Sequence, residues 1–485
     1  MLTLLVIPVI LTMSYSQVQK IGGTSISGNV NWRGTIIISG DVVVEEKSRL
    51  VIEPGTKILF EANQDITKSG TDKTRSEIIV RGTLIARGLP GRKIIFSSNS
   101  NIPRMGDWYS VEFLHLKTGT LLEYCVVEYA HNGITIKNSN ILMSNCELRY
   151  NYHAGIRTEV KGNPEIKNSI ISENGYAGLI CELGSKPVLT DNLISLNRIG
   201  VVVFSLSQPN LGNLTPGENY NPGRNSIFSN EEFNFYNHSN KKVFAENNYW
   251  GDEGRSDIAL KVYDRDDNSK YGAVDYTPVM RQSGQQKLGS LLLLAQNTSE
   301  NPTNSSPPAV VQQANQPAIN NLSRATKDTS AQKLEGQVLT KTENVKEEEM
   351  ELSKKLDEMA PLIASISIPE LQTRQLPVNS KEVKSQIDYS QVFLELFLDG
   401  GKKKYLNKPQ IEVSHVPRNF WKHGEIRIKV VVDQEGNVES TSVLRGLNDV
   451  IDRVVMETVE KYQYQTGKIN GQAVRFTTSE VFRFE

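Results

Sequence analysis

Four glycine–aliphatic pairs decide the fold of this chain: Gly133-Ile134, Gly155-Ile156, Gly178-Leu179 and Gly200-Val201. Successive pairs lie 22, 23 and 22 residues apart. A fixed period of this length is typical of stacked supersecondary units, none of which buries its apolar face alone. We therefore predict a mostly β chain in which residues 119–203 form the middle of a right-handed parallel β-helix.

Asparagine recurs with nearly the same period, at Asn145, Asn168 and Asn192. Each precedes a short apolar stretch, which predicts a turn between two strands. Asparagine tolerates the left-handed conformation and bonds to nearby backbone. We interpret these three residues as a structural stack rather than as a binding site.

The three cysteines, Cys125, Cys146 and Cys181, also fall inside the repeat. Their spacing is not that of a metal site. Buried small apolar residues are the expected role. Because Cys125 and Cys146 are about one coil apart, a disulfide between them stays open as an alternative.

Length and charge narrow the range of functions. A chain of 485 residues is expected to hold two or three domains. Its net charge of −1 offers no concentrated basic face, so nucleic acid is not an expected partner. Residues 1–16 are apolar and end in small polar residues, which predicts a secretory signal peptide, with an uncleaved anchor as the alternative. The body is expected outside the cytoplasm.

Four further motifs are PGTKILF at 54–60, IIVRGTLIARG at 78–88, DWYSVEF at 107–113 and NNYWG at 247–251. In this order they resemble the opening coils and the final cap of secreted bacterial right-handed β-helix proteins. The resemblance implies a β-helix over residues 20–280. Residues 205–224 interrupt the period with prolines and are interpreted as an inserted loop, where function often lies.

The next part of the chain has a different composition. Residues 281–341 are rich in Asn, Gln, Ser and Pro and predict a disordered linker. Residues 342–404 are interpreted as a helical and irregular connector, with a solvated helix at 343–359 and a strand within 392–398.

The last part reads as strand 424–433, turn 434–437, strand 438–444, helix 448–462 and strand 474–484. This order and spacing resemble the TonB C-terminal domain, here residues 405–485. The resemblance implies a small α+β domain that binds outer-membrane receptors by adding a strand to its sheet. The expected binding residues are Arg475, Ser479, Val481, Phe482 and Phe484.

Weak catalytic candidates are His131, His153 and Arg157. The two histidines are 22 residues apart, so they should stack on adjacent coils and could serve a polysaccharide site. Surface residues beside turns are the simpler interpretation. The paired aspartates of hydrolytic β-helix enzymes are not recognisable, and glycoside hydrolysis generally needs two placed carboxyls.

A weak metal candidate comprises Asp264, Asp266, Asn268 and Asp275, whose spacing echoes a Ca²⁺ loop. Ser269 stands where such a loop needs glycine, so a polar turn in the cap is the favoured interpretation. No cofactor is expected, with Ca²⁺ as the weaker alternative.

Together these patterns predict a non-enzymatic protein of the bacterial cell envelope, periplasmic, outer-membrane-associated or secreted. Its β-helix would bind a surface or a glycan. Its TonB-like domain would dock on an outer-membrane TonB-dependent receptor or another envelope protein, in TonB-dependent transmembrane transport. The alternatives are a polysaccharide lyase or glycoside hydrolase acting through the β-helix, and a structural adhesin or spacer.

Overall fold

The computed structural model describes residues 18–116, 119–251, 255–281, 389–400, 402–411 and 423–484. The predicted signal peptide, the linker beyond residue 281 and most of the connector, including its helix at 343–359, lie outside these ranges.

Three parallel sheets form the long N-terminal body, and the chain passes through them in turn, once per coil. Sheet 1 contains β1 (Val18–Ile21), β4 (Thr35–Ile38), β7 (Lys57–Phe60), β10 (Ile94–Ser98), β13 (Cys125–Glu128), β16 (Glu147–Arg149), β19 (Ile170–Ser172), β22 (Leu193–Ser195) and β25 (Ser226–Phe228). Sheet 2 contains β2 (Thr24–Ile26), β5 (Val42–Val44), β8 (Ile78–Val80), β11 (Val111–Leu114), β14 (Asn132–Lys137), β17 (Ala154–Glu159), β20 (Ala177–Cys181), β23 (Ile199–Val203), β26 (Phe233–Asn237) and β28 (Val262–Tyr263). Sheet 3 contains β3 (Asn29–Trp32), β6 (Arg49–Ile52), β9 (Thr83–Arg87), β12 (Leu121–Glu123), β15 (Leu142–Ser144), β18 (Glu165–Lys167), β21 (Val188–Thr190), β24 (Asn210–Gly212), β27 (Val243–Ala245) and β29 (Val274–Asp275).

The residues that follow the repeated glycines form the inner core. Ile134 pairs with Ile156, which pairs with Leu179, which pairs with Val201. All four side chains are fully buried. Like residues therefore stack on like along the axis, which confirms the β-helix predicted from the repeat.

The repeated glycines are required because successive coils approach closely at their Cα atoms. A Cβ built on Gly133 would lie 2.6 Å from the carbonyl oxygen of Gly155, and one on Gly178 would lie 2.7 Å from that of Gly200. Contacts under about 3 Å are too short for any side chain. The period thus records a steric constraint at one corner of the coil.

A buried asparagine ladder lies beside these glycines and consists of Asn151, Asn174, Asn197 and Asn230. The side-chain amide of each residue donates to the side-chain oxygen of the next, at 2.9, 2.9 and 3.1 Å. Each amide also donates to backbone carbonyls of its own or a neighbouring coil. The ladder satisfies polar backbone groups at a corner without access to water.

The predicted asparagine stack was correct at Asn145 and Asn168, but at its third position the prediction of Asn192 was wrong by one residue. Asn145 and Asn168 adopt the expected left-handed conformation, with φ of 55° and 47°, but Asp191 occupies the equivalent position in the next coil. Asn192 is instead buried and donates to Asn225, which donates to Asn248 in a second ladder.

Two further expectations meet the structure at the end of the helix. The predicted loop 205–224 contains strand β24, so the true insertion begins after Gly212. The NNYWG motif closes the stack, because Trp250 is buried in the inner core and a short helix α1 (Arg255–Leu260) follows.

All three cysteines are buried free thiols, so Cys125 and Cys146 are not bridged.

The C-terminal domain has a four-stranded sheet in the order β30 (Val392–Leu394), β37 (Arg475–Phe484), β32 (Gly424–Val432) and β33 (Val438–Arg445). Smaller pairs are β31 (Tyr405–Asn407) with β34 (Gln463–Tyr464), and β35 (Lys468–Ile469) with β36 (Gln472–Ala473). Helix α2 (Asp449–Val459) begins at Asn448, whose side chain caps it, and buries Ile451 and Val455 in this domain's core. The predicted hairpin, helix and last strand are confirmed; the strand expected within 392–398 gives way to a 3-10 turn after Leu394.

We expect Asn174→Ala to lower the free energy of unfolding of the β-helix. The substitution removes a fully buried ladder residue and leaves the donors of Asn151 without their acceptor. Orphaned buried groups cost about 1–3 kcal/mol each, so we expect a loss of roughly 2–4 kcal/mol. Urea unfolding followed by circular dichroism would measure it. Asn140→Ala, at an exposed position, is the control, and equal losses for both variants would contradict a structural role of the ladder.

Candidate functional site

A row of half-buried aromatic rings follows the outside of the β-helix at the entry to sheet 2. This ring ladder consists of Tyr109, His131, His153 and Tyr176. Successive ring centroids are 5.6, 5.7 and 5.2 Å apart, and successive planes are within about 12° of parallel. The stacking of His131 on His153 confirms the expectation drawn from their 22-residue spacing.

Burial makes both histidines poor bases. Burial, and after it the Arg75 guanidinium, lower the pKa of His131 to about 4. Nη1 of Arg75 lies 3.4 Å from Nδ1 of His131. Burial also lowers the pKa of His153, whose Nδ1 lies 3.0 Å from the side-chain oxygen of Asn132. The ladder is therefore neutral at neutral pH and is suited to contact through its stacked rings rather than to proton transfer.

Arg157, the third catalytic candidate, is held by two carboxylates. Its guanidinium lies 2.7 Å from Glu182 and 2.8 Å from Glu159. The structure therefore places His131, His153 and Arg157 on neighbouring coils of one face, but the arginine is already ion-paired across coils.

Two buried carboxylates on the same face were missed by sequence reasoning. Glu77 and Glu112 lie on adjacent coils, and Thr71 bridges them by donating its backbone N–H to Glu77 and its hydroxyl to Glu112. Burial, and after it the charge of Glu112, raise the pKa of Glu77 to about 8. The signal was present in the sequence as two acidic residues near outward positions of neighbouring β-rich stretches.

This pair does not form an open catalytic site. Glu77 is fully buried, and the loop that carries Thr71 covers both carboxylates. A polysaccharide chain would have to displace this loop to reach either oxygen. The arrangement holds a proton inside the protein rather than presenting it to a substrate.

The calcium candidates are engaged in local structure. One carboxylate oxygen of Asp264 accepts from the backbone of Val274 at 2.6 Å, and the other accepts from that of Asp266 at 2.9 Å. Asp275 pairs with Lys242 at 2.8 Å. Within the described ranges no group of three or more His, Cys, Asp or Glu side chains could hold a metal ion. Calcium therefore stays an untested alternative to the polar cap turn, which these contacts favour.

The second candidate surface is the edge of strand β37 in the C-terminal domain. β32 pairs with residues 476–484 of β37, whereas β30 pairs in parallel with residues 475–477 only. Among the described residues no strand covers 479–484 on the β30 side. We call this stretch the open edge. A cavity of about 280 Å³ lies beside it.

The five predicted binding residues fall into two groups around this edge. Ser479 and Val481 line the cavity. Arg475 lies at the end covered by β30 and pairs with Glu439 at 2.5 Å. Phe482 and Phe484 also lie on the open edge, but their side chains pack against the apolar cluster that contains this domain's core. Four of the five therefore lie on the open edge, and two of these line the cavity beside it.

A buried charge cluster behind the edge was also missed. Glu480 accepts from Tyr405 at 2.7 Å, from Tyr464 at 3.0 Å, and pairs with Lys403 at 3.1 Å. Burial opposes ionisation of Glu480, but Lys403, the Tyr405 hydroxyl and Lys408 together outweigh it and lower the pKa of Glu480. Nζ of Lys403 also donates to the carbonyl oxygen of Ser479 at 2.5 Å, which puts a cation at the mouth of the open edge.

Comparison with known families gives two matches. Residues 92–248 match the model of the right-handed beta helix region, and residues 421–485 match that of the Gram-negative bacterial TonB protein C-terminal domain. These matches and the three stacked parallel sheets confirm both resemblances drawn from the sequence. Neither the curated proteins nor the solved structures include a significant match. The combination of domains indicates a Gram-negative cell-envelope protein.

No helix in the described parts of the chain is both long and apolar enough to cross a membrane.

We expect the pH dependence of stability to change in Glu77→Gln. Between its ordinary pKa of 4.5 and the folded value of about 8, Glu77 binds a proton more tightly in the folded state. Stability from this group is therefore present at low pH and lost as pH rises through 8. Each pKa unit corresponds to about 1.4 kcal/mol. The free energy of unfolding of Glu77→Gln should therefore be a few kcal/mol higher than that of the parent at pH 9 and nearly the same at pH 5.

Thermal unfolding at the two pH values measures this difference. Glu46→Gln, at an exposed position, is the matched control. If Glu77→Gln and Glu46→Gln follow the same pH profile, Glu77 does not hold its proton in the folded protein.

Proposed function

We propose that this is a non-enzymatic cell-envelope protein. Its TonB C-terminal domain docks by strand addition on an outer-membrane TonB-dependent receptor or another envelope protein, in TonB-dependent transmembrane transport. Its β-helix binds a surface or a glycan. The observation that carries the proposal is the open edge of β37, which β30 covers only over its first three residues.

Strand addition suits this edge for a physical reason. A strand edge presents unpaired backbone donors and acceptors to any extended segment, so binding draws on main-chain hydrogen bonds and needs few particular side chains. β30 already pairs with residues 475–477 in parallel. An incoming segment in the same direction would extend this pairing along residues 479–484.

The ring ladder supports a glycan as the ligand of the β-helix. Four stacked rings at a spacing near 5.5 Å form a continuous row on the outside of the coils. The faces of stacked rings cover one another, so the row would offer ring edges, which combine apolar carbon with polar nitrogen and hydroxyl groups, to a glycan chain lying along it. Neutral imidazoles would let this strip bind acidic and neutral glycans alike.

The enzyme alternative has less support. The ladder histidines carry lowered pKa values, Arg157 is ion-paired, and the carboxylates Glu77 and Glu112 are covered. The insertion after β24 follows β23, four coils beyond β11, so it does not flank those carboxylates. A spacer without ligands would not need a stretch of β37 that no described strand pairs with on the β30 side.

We expect a cysteine introduced at the open edge to form a disulfide with a cysteine introduced in a receptor strand. In full-length Ser479→Cys, mixed with a receptor whose periplasmic plug segment carries cysteines at successive positions, a disulfide should form at a subset of alternating positions. The three native cysteines are fully buried and add no background. Non-reducing electrophoresis and mass spectrometry would identify the linked pairs.

Ser440→Cys is the matched control, because Ser440 is exposed on β33, the opposite edge strand of the same sheet. Links from position 479 but not from 440 would support docking at the β37 edge. Equal yields at both positions, or no links at 479, would contradict it.

We expect His153→Ala to weaken glycan binding by roughly tenfold, because it removes one ring from the middle of the ladder. Affinity electrophoresis with polygalacturonate and with a neutral glucan would measure it. His115→Ala, at an exposed position, should bind like the parent. Because burial lowers the pKa of both His131 and His153, both rings stay neutral and binding should stay constant from pH 8 to 7. A fall in that range, or equal effects of both variants, would reject the ladder as the binding strip.

A further inference from the structure

The outer face of sheet 1 is buried where solvent-facing residues are expected. Val126, Glu147, Ile170 and Leu193 are neighbours in register on successive strands, yet they are 1%, 0%, 0% and 4% exposed. Ile170 and Leu193 belong to the apolar cluster of the C-terminal domain rather than to the inner core of the β-helix. The domain therefore covers two neighbouring apolar residues that would otherwise face solvent.

Polar contacts accompany this covering. The backbone N–H of Met105 donates to the carbonyl oxygen of Leu444 at 2.8 Å. Arg445 lies over the ring of Tyr152 at 4.6 Å and donates to its hydroxyl at 3.2 Å. Nζ of Lys429 lies 5.1 Å from the ring centre of Tyr150. These contacts join the β32–β33 hairpin to two coils of the β-helix, at the segments that follow β10 and β16.

Arginine and glutamate side chains close the other end of the contact. Arg427 is 1% exposed and lies 3.0 Å from Glu231 of the β-helix and 3.4 Å from Glu425. Arg483, at the open edge, also pairs with Glu231. We call Arg427, Arg483, Glu231 and Glu425 the latch. A buried guanidinium needs its carboxylate partner, because an uncompensated buried charge is strongly destabilising.

We propose that the β-helix is the docking partner of its own C-terminal domain, and that the latch holds a closed state in which the open edge is shielded from other strands. The shielding follows from shared residues. Ser479 donates to Glu173 of the β-helix at 3.3 Å, and Arg483 pairs with Glu231. Both residues lie on the strand to which a partner would add.

The size of the cavity decides whether a partner strand could reach the open edge while the C-terminal domain stays on the β-helix. Its volume of about 280 Å³ is below the ~300–1,000 Å³ of clefts that hold drug-sized ligands. An extended segment of several residues needs more space than this. The domain must therefore leave the β-helix before a strand can add along residues 479–484. This consequence rests on the proposed function, whereas the closed state itself does not.

Because the β-helix and the C-terminal domain belong to one chain, a modest interface is sufficient to hold them together. Docking within one chain proceeds at the effective concentration set by the connecting segment, so it needs less interface energy than docking between separate molecules. A partner strand must then compete with an intramolecular contact. The closed state would restrict docking to partners that supply enough main-chain hydrogen bonds to displace it.

The test uses thiol labelling of the full-length protein without any partner. In Ser479→Cys we expect slow reaction with a maleimide, and in Ser479→Cys combined with Glu231→Lys we expect the rate to rise by about tenfold or more, because the latch loses its central carboxylate. Glu232→Lys is the matched control. Glu232 is the residue after Glu231, and it pairs at 2.7 Å with Arg198, which also belongs to the β-helix. Glu232→Lys should leave the labelling rate of Ser479→Cys unchanged.

Small-angle scattering of the same variants provides a second measurement. Glu231→Lys should increase the maximum dimension, while circular dichroism stays that of the parent if both domains remain folded. Equal labelling rates for Glu231→Lys and Glu232→Lys, or unchanged dimensions in both, would overturn the closed state. Because no receptor is present, such a failure would leave strand addition to be judged by its own cross-linking experiment.

Discussion

The asparagine ladder is the interaction on which the rest of this structure depends. Each side-chain amide must reach the oxygen of the next, so every coil has to return to the same corner. Asn197 and Asn230 are 33 residues apart, ten more than the usual interval, yet they still bond at 3.1 Å. The extra residues are expelled as a loop between β24 and β25, and the coil itself keeps its length. The ladder therefore fixes the register, and insertions go to the surface.

A fixed register also organises the outside of the protein. Parallel stacking places equivalent positions of successive coils in line, so a repeated residue type becomes a continuous strip. At the entry to sheet 2 the strip is aromatic and gives the ring ladder. On the outer face of sheet 1 the neighbours Ile170 and Leu193 are apolar and contact the C-terminal domain. The ring ladder and this contact are thus both products of the period that forms the core.

Sequence reasoning reached the fold because the constraint that forms it repeats along the chain. Glycines at a steric corner and apolar pairs leave a periodic record, so both domains and their strand order could be predicted. The register of Asn192 was wrong because Asp191 takes the left-handed position that asparagine holds in the two preceding coils. A one-residue shift of this kind is invisible when both residues suit a turn.

The contacts between the domains could not be predicted in the same way. The pairs Ile170-Ile171 and Leu193-Ile194 did signal that both faces of these strands are buried. Near-continuous apolar strands are also normal in parallel sheets, so the signal did not distinguish a covered outer face. Arg427 and Glu231 are 196 residues apart and follow no shared pattern. Long-range pairing of single charges leaves no periodic trace.

Tyr152 connects the two surfaces in one residue. Its ring stacks on His131 of the ring ladder at 5.4 Å, and the guanidinium of Arg445 lies over the same ring at 4.6 Å. Strand addition selects poorly by side chain, because most of its affinity comes from the backbone. Selectivity must then come from what controls access to the edge. Under the proposed function, a glycan bound at the ladder would change the surroundings of a ring that the closed state also uses, so glycan and partner would act on one contact.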